Sequence, residues 1–303
     1  MINKKPTVTV ALSALNEERN IKAFLNSILS QIDKKFILRN IWVYSDGSTD
    51  KTVEIVRSIK SKKIEVKVFK NRMGKTYRLN QIYSSLKTDI LVQSDADVVF
   101  ANPLVIENII QPFINDKEVG MVCGHSQPLP GITFTEKAVN CSWEVNSKLR
   151  KFVRKGNNMF SVDGRILGYR KKFIKTVKIP PETIGNDRYS YYFCINKGYK
   201  IIYVPSAIAL YRSPKNLKDQ IKQNTRFFAI PIAMKRYFPP ELINKEERIP
   251  SFFKRKLMIM QFLKHPIMCA YIFIINKYCY LKANSAVNYL TAKWPVANST
   301  KQL

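Results

Sequence analysis

The sequence predicts an α/β protein with a mainly parallel central sheet flanked by helices and followed by a helical C-terminal extension. Short β-rich segments alternate with amphipathic helical segments between residues 7 and 123, and this alternation is typical of βαβ units. It ends near Pro128, where longer helical segments begin. After Phe238 the chain becomes proline-punctuated and then basic and helical. We therefore predict a domain over residues 1–238 and a basic helical tail over residues 239–303.

The first part of the chain supplies five predicted strands and four predicted helices. The strands cover residues 7–13, 40–45, 64–69, 90–93 and 119–123. We interpret Asn16 as the N-cap of the first helix, because two glutamates follow it at the positive end of that helix. The second helix begins after Asp50, the third spans residues 75–86, and the fourth opens at Pro103.

The second part of the chain mixes helices with strands. Helical patterns cover residues 136–153, 187–197 and 217–237. Strand-like segments cover residues 161–170, 200–204 and 207–211. The last helical pattern contains Pro231, which we expect to kink the helix.

The net charge of the chain is strongly positive. Lys and Arg number 51 and Asp and Glu number 22, which gives a net charge of +29. A field of this sign favours anionic partners, namely nucleic acid, an acidic membrane surface or phosphorylated small molecules. No nucleic-acid-binding motif accompanies the charge, so we expect no nucleic-acid partner.

The cysteines and the apolar stretches indicate the cellular compartment that we expect for the protein. The five cysteines include no Cys-x-x-Cys pair and the chain has two histidines, so we expect no zinc site. We expect buried, reduced thiols in a cytoplasmic protein. The first residues lead directly into a strand, so we expect no signal peptide. The longest apolar stretch, residues 266–276, is shorter than the about 20 residues that a membrane-spanning helix needs.

Polar residues follow three of the predicted strands. Asn16 and Glu17 follow the first strand, Asp46 follows the second, and Asp95 and Asp97 follow the fourth. The carboxyl ends of parallel strands form the ligand-binding side of an open sheet. Two carboxylates one residue apart can approach one hard cation such as Mg²⁺ or Mn²⁺, although a solvated turn also explains them. We therefore predict a ligand site here, with Asp46 as a candidate hydrogen-bonding residue.

Three further groups are candidate site residues. Lys75 follows a glycine and supplies a positive point charge. Asp187 precedes a predicted helix and is either its N-cap or a general base. Gln223, Arg226 and Phe227 share one helix face, from which the arginine clamps a diphosphate or pairs with surface carboxylates.

The order of these groups resembles the family 2 glycosyltransferases, particularly the branch that includes the cellulose and hyaluronan synthases. The ordered set is Asp46, then Asp95-Ala96-Asp97, then Asp187, then Gln223-x-x-Arg226-Phe227. Connecting residues 14–18, 45–50, 74–75 and 198–205 also match, and the likeness covers about residues 7–235. It implies a GT-A fold, with a nucleotide-sugar half at about 1–127 and an acceptor half at about 128–238. The membrane channel of those synthases is not expected here.

The resemblance also implies roles for the candidate residues. Asp187 is the implied base for the acceptor hydroxyl, Phe227 contacts the acceptor, and Asp97 and Asp95 bind Mg²⁺ or Mn²⁺. The implied donor-binding residues, with uridine as the common base, are Asn16, Glu17, Asp46, Lys75, Asp95, Gln223 and Arg226. The implied activity is inverting transfer of a sugar from a nucleotide-sugar, commonly a UDP-sugar, to a hydroxyl of a glycan or lipid-linked acceptor. Such transfer belongs to cell-surface polysaccharide or glycolipid synthesis.

Two positions depart from the pattern of that branch. Asn186 stands where the branch usually has an acid before the base, which is expected to alter acceptor handling. Phe227 stands where the branch usually has Trp, so the stacking face is kept and an N–H donor is lost. A nucleotidyltransferase of similar fold, a nucleic-acid-binding protein and a non-enzymatic membrane adaptor are the alternative functions.

The basic tail has two interpretations. Residues 252–257 and the apolar stretch near Ile272 mix basic and apolar groups. This mixture favours peripheral binding to the anionic cytoplasmic face of a membrane. The alternative is a helical cap that packs on the preceding domain.

Overall fold

One eight-stranded sheet forms the centre of the computed structural model, which describes residues 5–291, 293 and 298–301. The strands are β1 (Thr7–Ala14), β2 (Ile37–Asp46), β3 (Ile64–Phe69), β4 (Ile90–Ser94), β5 (Val98–Phe100), β6 (Val119–Pro128), β7 (Ile166–Arg170) and β8 (Lys200–Tyr211). Their order across the sheet is β3-β2-β1-β4-β7-β6-β8-β5.

Helices surround this sheet and extend beyond it. They are α1 (Ile21–Leu29), α2 (Thr52–Ser58), α3 (Lys75–Ser85), α4 (Val105–Asn115), α5 (Phe134–Phe152), α6 (Lys171–Ile174), α7 (Asn186–Asn196), α8 (Leu217–Met234), α9 (Pro240–Glu246), α10 (Ser251–Lys264) and α11 (Pro266–Ala286). Short 3₁₀ turns cover Val153–Gly156, Met159–Ser161 and Asn298–Thr300.

The first half of the sheet is parallel. β1 pairs in parallel with β2 and with β4, and β2 pairs in parallel with β3. β7 lies antiparallel between β4 and β6, while β8 runs parallel to β6 and antiparallel to β5. The predicted α/β class, with a central sheet, flanking helices and a helical C-terminal region, is confirmed. The parallel pairing brings the carboxyl ends of β1, β2 and β4 to the same side of the sheet.

Alternating strand positions build a hydrophobic core on each face of the sheet. Val8, Val10 and Leu12 of β1 are fully buried and pack in one cluster with residues of α1 and α4. Ala11 is out of phase with them and belongs to the other cluster, with Leu79 of α3. The strand ends are therefore anchored by packing on both faces.

Three local predictions were wrong. Asn16 does not cap α1, which begins at Ile21. Its backbone lies in the left-handed region at φ 54°, and its side-chain oxygen accepts a 2.8 Å hydrogen bond from the N–H of Thr49. The amide therefore joins two loops instead of capping a helix. Helix α4 begins at Val105, two residues after Pro103, and the last two predicted strands form the single strand β8.

The C-terminal helices pack against α5 and α8. Phe253 of α10 stacks on Phe152 of α5, with ring centroids 3.8 Å apart. Tyr271 of α11 donates its hydroxyl hydrogen to Gln220 Oε1 of α8 at 2.8 Å. Among the residues described, none of the helices combines the length and apolar character needed to cross a bilayer.

Candidate functional site

A cavity of about 390 Å³ opens where strands β1, β2 and β4 end. Its walls come from the residues after these strands, the turn before α3, helix α8 and residues near the C-terminus. Ligands of open parallel sheets bind on this side. The cavity is therefore the candidate functional site.

Asp46, the last residue of β2, organises one wall of the cavity. Its buried carboxylate accepts hydrogen bonds from the N–H groups of Met73 at 2.9 Å and Gly74 at 2.7 Å. It also accepts from Arg78 Nε at 2.7 Å. Gly74 has a φ of 97°, a left-handed conformation that favours glycine, and it directly precedes α3. Asp46 thus fixes the turn from which α3 begins.

Lys75, the first residue of α3, forms an ion pair with Asp95. Gly164, in the loop before β7, lies beside this pair. A Cβ atom at Gly164 would lie 3.4 Å from Lys75 Nζ and 3.8 Å from both carboxylate oxygens of Asp95. The loop before β7 therefore approaches the ion pair closely.

Asp97 lies in the field of several charged groups. Burial raises the pKa of Asp97, the charge of Asp95 adds to this effect, and Arg165 opposes it. Arg165 pairs with Asp163 at 2.9 Å, and its guanidinium carbon lies 3.6 Å from the ring centroid of Tyr211. Two neighbouring carboxylates that share a partly buried position are stabilised by an added cation.

Residues near the C-terminus bring a further cation to the cavity. Lys301 Nζ lies 2.7 Å from Glu17 Oε1. Burial raises the pKa of Glu17 to about 7, the charge of Asp97 adds to this, and Lys301 opposes it. The N–H of Ser299 donates to Asp219 Oδ2 of α8 at 2.9 Å. Residues 298–301 therefore link the loop after β1 with helix α8 beside the cavity.

Helix α8 places Gln223 and Arg226 at the cavity. Burial lowers the pKa of Arg226, while the carboxylates of Asp187 and Asp95 oppose this effect. Phe227 is 41% exposed, and the guanidinium carbon of Arg226 lies 5.4 Å from its ring centroid. A guanidinium held near carboxylates keeps its charge and presents planar donors to an anion.

Asp187 lies in the first turn of α7. This helix begins at Asn186 with Gly185 as its N-cap, so Asp187 is not the capping residue. Its Oδ1 accepts a 2.9 Å hydrogen bond from the N–H of Arg188. The helix N-terminus stabilises the negative charge of this carboxylate. Asp187 does not line the cavity, but its charge acts on Arg226.

The structure brings most of the predicted residues together. Those that line the cavity are Glu17, Asp46, Lys75, Asp95, Asp97, Gln223 and Arg226. Asn16, Asp187 and Phe227 lie outside the cavity lining, and Asn16 lines a neighbouring pocket. The cations at the cavity that sequence reasoning missed are Arg72, Arg165, Lys222, Lys282 and Lys301. The Asp-Gly-Arg turn before β7 was an available signal for Arg165, whereas nothing near Lys301 in the sequence marks it.

Asp95 and Asp97 are the residues best suited to hold a divalent cation. In the described part of the chain, no cluster of three or more Asp, Glu, His or Cys side chains forms a metal-ligand set. Hard cations such as Mg²⁺ bind one or two protein carboxylates and complete their coordination with substrate phosphates and water. The raised pKa of Asp97, caused by burial and by Asp95, fits a position that a cation would stabilise.

Comparisons with known proteins find a family model, relatives in sequence and solved structures of similar fold. A family model described as glycosyl transferase family 2 matches residues 9–177. Poly-beta-1,6-N-acetyl-D-glucosamine synthase of Staphylococcus aureus (strain COL) is 25% identical over 244 residues, 75% of this chain and 57% of that protein. The 4,4'-diaponeurosporenoate glycosyltransferase of Staphylococcus haemolyticus (strain JCSC1435) is 30% identical over 119 residues, 38% of this chain and 31% of that protein. The chain thus spans little more than half the length of the first of these relatives.

Solved structures share the fold. A mannosyltransferase from Pyrobaculum calidifontis in complex with GDP-Man and Mn²⁺ matches with a TM-score of 0.60 at 18% identity, over 98% of this chain and 78% of that chain. Glucosyl-3-phosphoglycerate synthase from Mycobacterium tuberculosis, in complex with Mn²⁺, UDP and phosphoglyceric acid, matches with a TM-score of 0.54 at 18% identity, over 76% of this chain and 78% of that chain. The fold is the GT-A fold that the resemblance implied. Because the family model matches more than half of the sequence, the chain belongs to glycosyltransferase family 2.

Proposed function

We propose that this glycosyltransferase is inverting and metal-dependent, and that it moves a sugar from a UDP-sugar to a hydroxyl of a glycan or lipid-linked acceptor. One observation carries the proposal: the cavity at the strand ends is lined by both carboxylates and cations, namely Asp95, Asp97, Lys75, Arg165 and Arg226. A nucleoside diphosphate needs both, because cations neutralise its phosphates and carboxylates bind its metal.

We assign the donor to the wall formed by β2, β4 and α3. Asp46 lines the cavity and fixes the turn before α3, so this edge is the proposed nucleoside position. Lys75 and Arg226 supply positive charge for the diphosphate. When bound, Mg²⁺ or Mn²⁺ held by Asp95 and Asp97 would stabilise the charge that develops on the leaving group.

The polar residues around this wall complete the proposed donor site. Gln223 lines the cavity one helical turn from Arg226 and offers amide hydrogen bonds to the donor. Glu17 lies at the cavity beside Lys301, and Asn16 orders the adjoining loop through its bond to Thr49. We propose that these side chains set the shape and charge of the donor pocket.

We assign the acceptor side to Asp187 and Phe227. The acceptor oxygen attacks the anomeric carbon while the bond from that carbon to the diphosphate oxygen breaks, and the hydroxyl proton passes to Asp187. A single displacement of this kind inverts the configuration at the anomeric carbon. Asp187 acts electrostatically on Arg226, so the base and a diphosphate-binding cation belong to one charged group. The exposed ring of Phe227 offers a face on which a sugar can stack.

The names of the relatives support the acceptor class. One is named for synthesis of a polysaccharide and the other for glycosyl transfer to 4,4'-diaponeurosporenoate. We therefore propose a role in cell-surface polysaccharide or glycolipid synthesis at the cytoplasmic side of the membrane. The cysteines in the described residues are unpaired, which fits a reducing compartment. We also propose that residues 1–238 form the catalytic part, with residues 239–303 as its helical extension.

Donor hydrolysis tests this function. The purified chain is incubated with UDP-, GDP- and TDP-sugars, with and without Mn²⁺ or Mg²⁺, and release of nucleoside diphosphate is followed. We expect metal-dependent release from one donor, and a loss of about 100-fold or more in Asp97→Ala, because the charge on the leaving group loses its support. Asp33→Ala is the control, since Asp33 is half-exposed and pairs with Lys63 at the surface. Production of inorganic diphosphate from a nucleoside triphosphate and a sugar phosphate would contradict the proposal and indicate nucleotidyl transfer.

A further inference from the structure

We propose that the exposed faces of helices α10 and α11 dock on an anionic lipid bilayer. Along each helix, large apolar side chains on one face remain 61–80% exposed. They are Phe252, Ile259 and Leu263 on α10 and Ile267, Ile274 and Leu281 on α11. Positions seven residues apart lie on one side of a helix, because seven residues make nearly two turns. An exposed apolar surface built from successive turns of two helices marks an interaction site.

The opposite faces of these two helices are docked on the rest of the protein. On α10, Leu257 and Gln261 are buried, and the Gln261 amide donates to Glu144 Oε2 of α5 at 3.0 Å. On α11, Cys279 and Ala283 are fully buried. The rotation of each helix is therefore fixed by contacts with the catalytic part. The apolar side chains face outward because of this docking.

The positive charge of α10 and α11 favours an anionic lipid surface as the partner. Between Ser251 and Ala286, the span of α10 and α11, the sequence has six Lys and Arg residues and no Asp or Glu. Lys256 lies between the exposed Phe252 and Ile259 on α10, and Lys277 lies between Ile274 and Leu281 on α11. An apolar helix face that carries lysines and no carboxylates suits acyl chains bordered by lipid phosphates.

A second copy of the chain does not match this surface. A two-fold contact through this face would bury lysines of both copies, and α10 and α11 carry no Asp or Glu to pair with them. An anionic leaflet supplies opposite charge along both helices. The two helices therefore lie in the plane of the membrane surface.

The same helix connects the membrane surface to the functional cavity. Leu281 is exposed on the proposed lipid-binding face, and the next residue, Lys282, lines the cavity. Tyr289, just beyond α11, lines it as well. If the proposed glycosyl transfer is correct, docking brings the cavity to the membrane surface, where a lipid-linked acceptor would enter. The docking itself does not depend on that function.

Vesicle binding by the full chain tests the proposal. Co-sedimentation is measured with phosphatidylcholine vesicles and with vesicles that also contain about 30 mol% phosphatidylglycerol, at low and high salt. We expect about tenfold or greater partitioning into the anionic vesicles, weakened by salt. The triple variant Ile267→Asn/Ile274→Asn/Leu281→Asn should lose this binding by about tenfold or more. Ile132→Asn is the matched control, because Ile132 is 69% exposed but lies outside α10 and α11.

Three results would overturn the proposal. They are equal binding to both kinds of vesicle, vesicle binding by the triple variant equal to that of the wild type, and a lipid-free dimer that the triple variant converts to monomers. The last result would make this face of α10 and α11 a contact between copies of the chain. Circular dichroism confirms that the variant is folded. Donor hydrolysis, measured without vesicles, should stay unchanged in the triple variant because its three positions do not line the cavity, so a failure of docking is distinct from a failure of the proposed chemistry.

Discussion

Replacement of Asp46 by asparagine probes the link between the sheet and the cavity. The carboxylate of Asp46 and the guanidinium of Arg78 form a buried ion pair, with side-chain exposures of 3% and 4%. The same carboxylate accepts the N–H groups of Met73 and Gly74. Asp46→Asn preserves the size of the side chain but removes its charge and one acceptor oxygen. The guanidinium then remains buried without its carboxylate.

The expected loss of stability is large. Breaking a buried ion pair by removing one partner destabilises a protein by about 3–5 kcal/mol, because the remaining charge is left buried. A matched exposed pair gives the baseline: Asp33 and Lys63 lie 3.6 Å apart, with side chains that are 50% and 44% exposed. For Asp33→Asn we expect a change below about 0.5 kcal/mol, because solvent screens exposed pairs.

Urea denaturation of the two variants and the wild type measures the difference. Arg78→Met, alone and combined with Asp46→Asn, completes a double-mutant cycle, for which we expect a coupling energy of about 1–3 kcal/mol. The double variant should be less destabilised than the sum of the single variants, because no charge is left unpaired. If Asp46→Asn unfolds within about 1 kcal/mol of Asp33→Asn, the carboxylate does not hold the turn before α3 in the way described here.

Three further predictions follow from other parts of the structure. Burial and then the nearby cations lower the pKa of His125 to about 4. The free energy of unfolding that neutral His125 contributes is therefore fully present above pH 6.5 and is lost as pH falls toward 4. The expected loss between pH 7.5 and 4.5 is about 2–3 kcal/mol. His125→Gln should remove this part of the pH dependence of the urea midpoint. Gly156→Ala should destabilise the protein by more than about 2 kcal/mol, because φ is +93° and a Cβ atom would lie 2.1 Å from the Tyr203 ring. Gly198→Ala is the control and should cost about 1 kcal/mol, because φ is +75° but the space around it is open. Equal losses of stability in thermal denaturation would contradict the packing argument. Lys75→Met should lower kcat/KM for the donor by about 10–100-fold in steady-state assays, and an unchanged value would remove this ammonium from the diphosphate site.

Much of the α/β domain could be predicted because its signals are local. The alternation of Val8, Val10 and Leu12 with less apolar neighbours marks β1 directly. The position of Asp46 and Asp95 after strands then brings both to one cavity, since parallel strands end on the same side of a sheet.

The parts that could not be predicted depend on contacts between distant segments. Asparagine is common at helix N-caps, but the Asn16 amide forms hydrogen bonds with Thr49, which is 33 residues away in the sequence. The short strand β5 is defined by pairing with β8, more than one hundred residues later. Lys301 reaches a backbone oxygen 285 residues away, so no local pattern marks it. The two roles of the tail helices, docking inward and presenting an apolar face outward, also depend on which side meets α5 and α8.

The most direct test of the central claim compares the wild type with Asp187→Asn. Release of nucleoside diphosphate from the preferred sugar donor is measured with Mn²⁺, together with the dissociation constant for the free nucleoside diphosphate. We predict that the variant loses about 10²–10⁴-fold in the rate of release, because the base is gone, while nucleotide affinity does not fall. Asp187 does not line the nucleotide cavity, and removing its negative charge near Arg226 does not weaken binding of a diphosphate, which is why the two quantities should separate. A variant that keeps the wild-type rate, or a wild type that neither binds nor cleaves any nucleotide-sugar, would contradict the account.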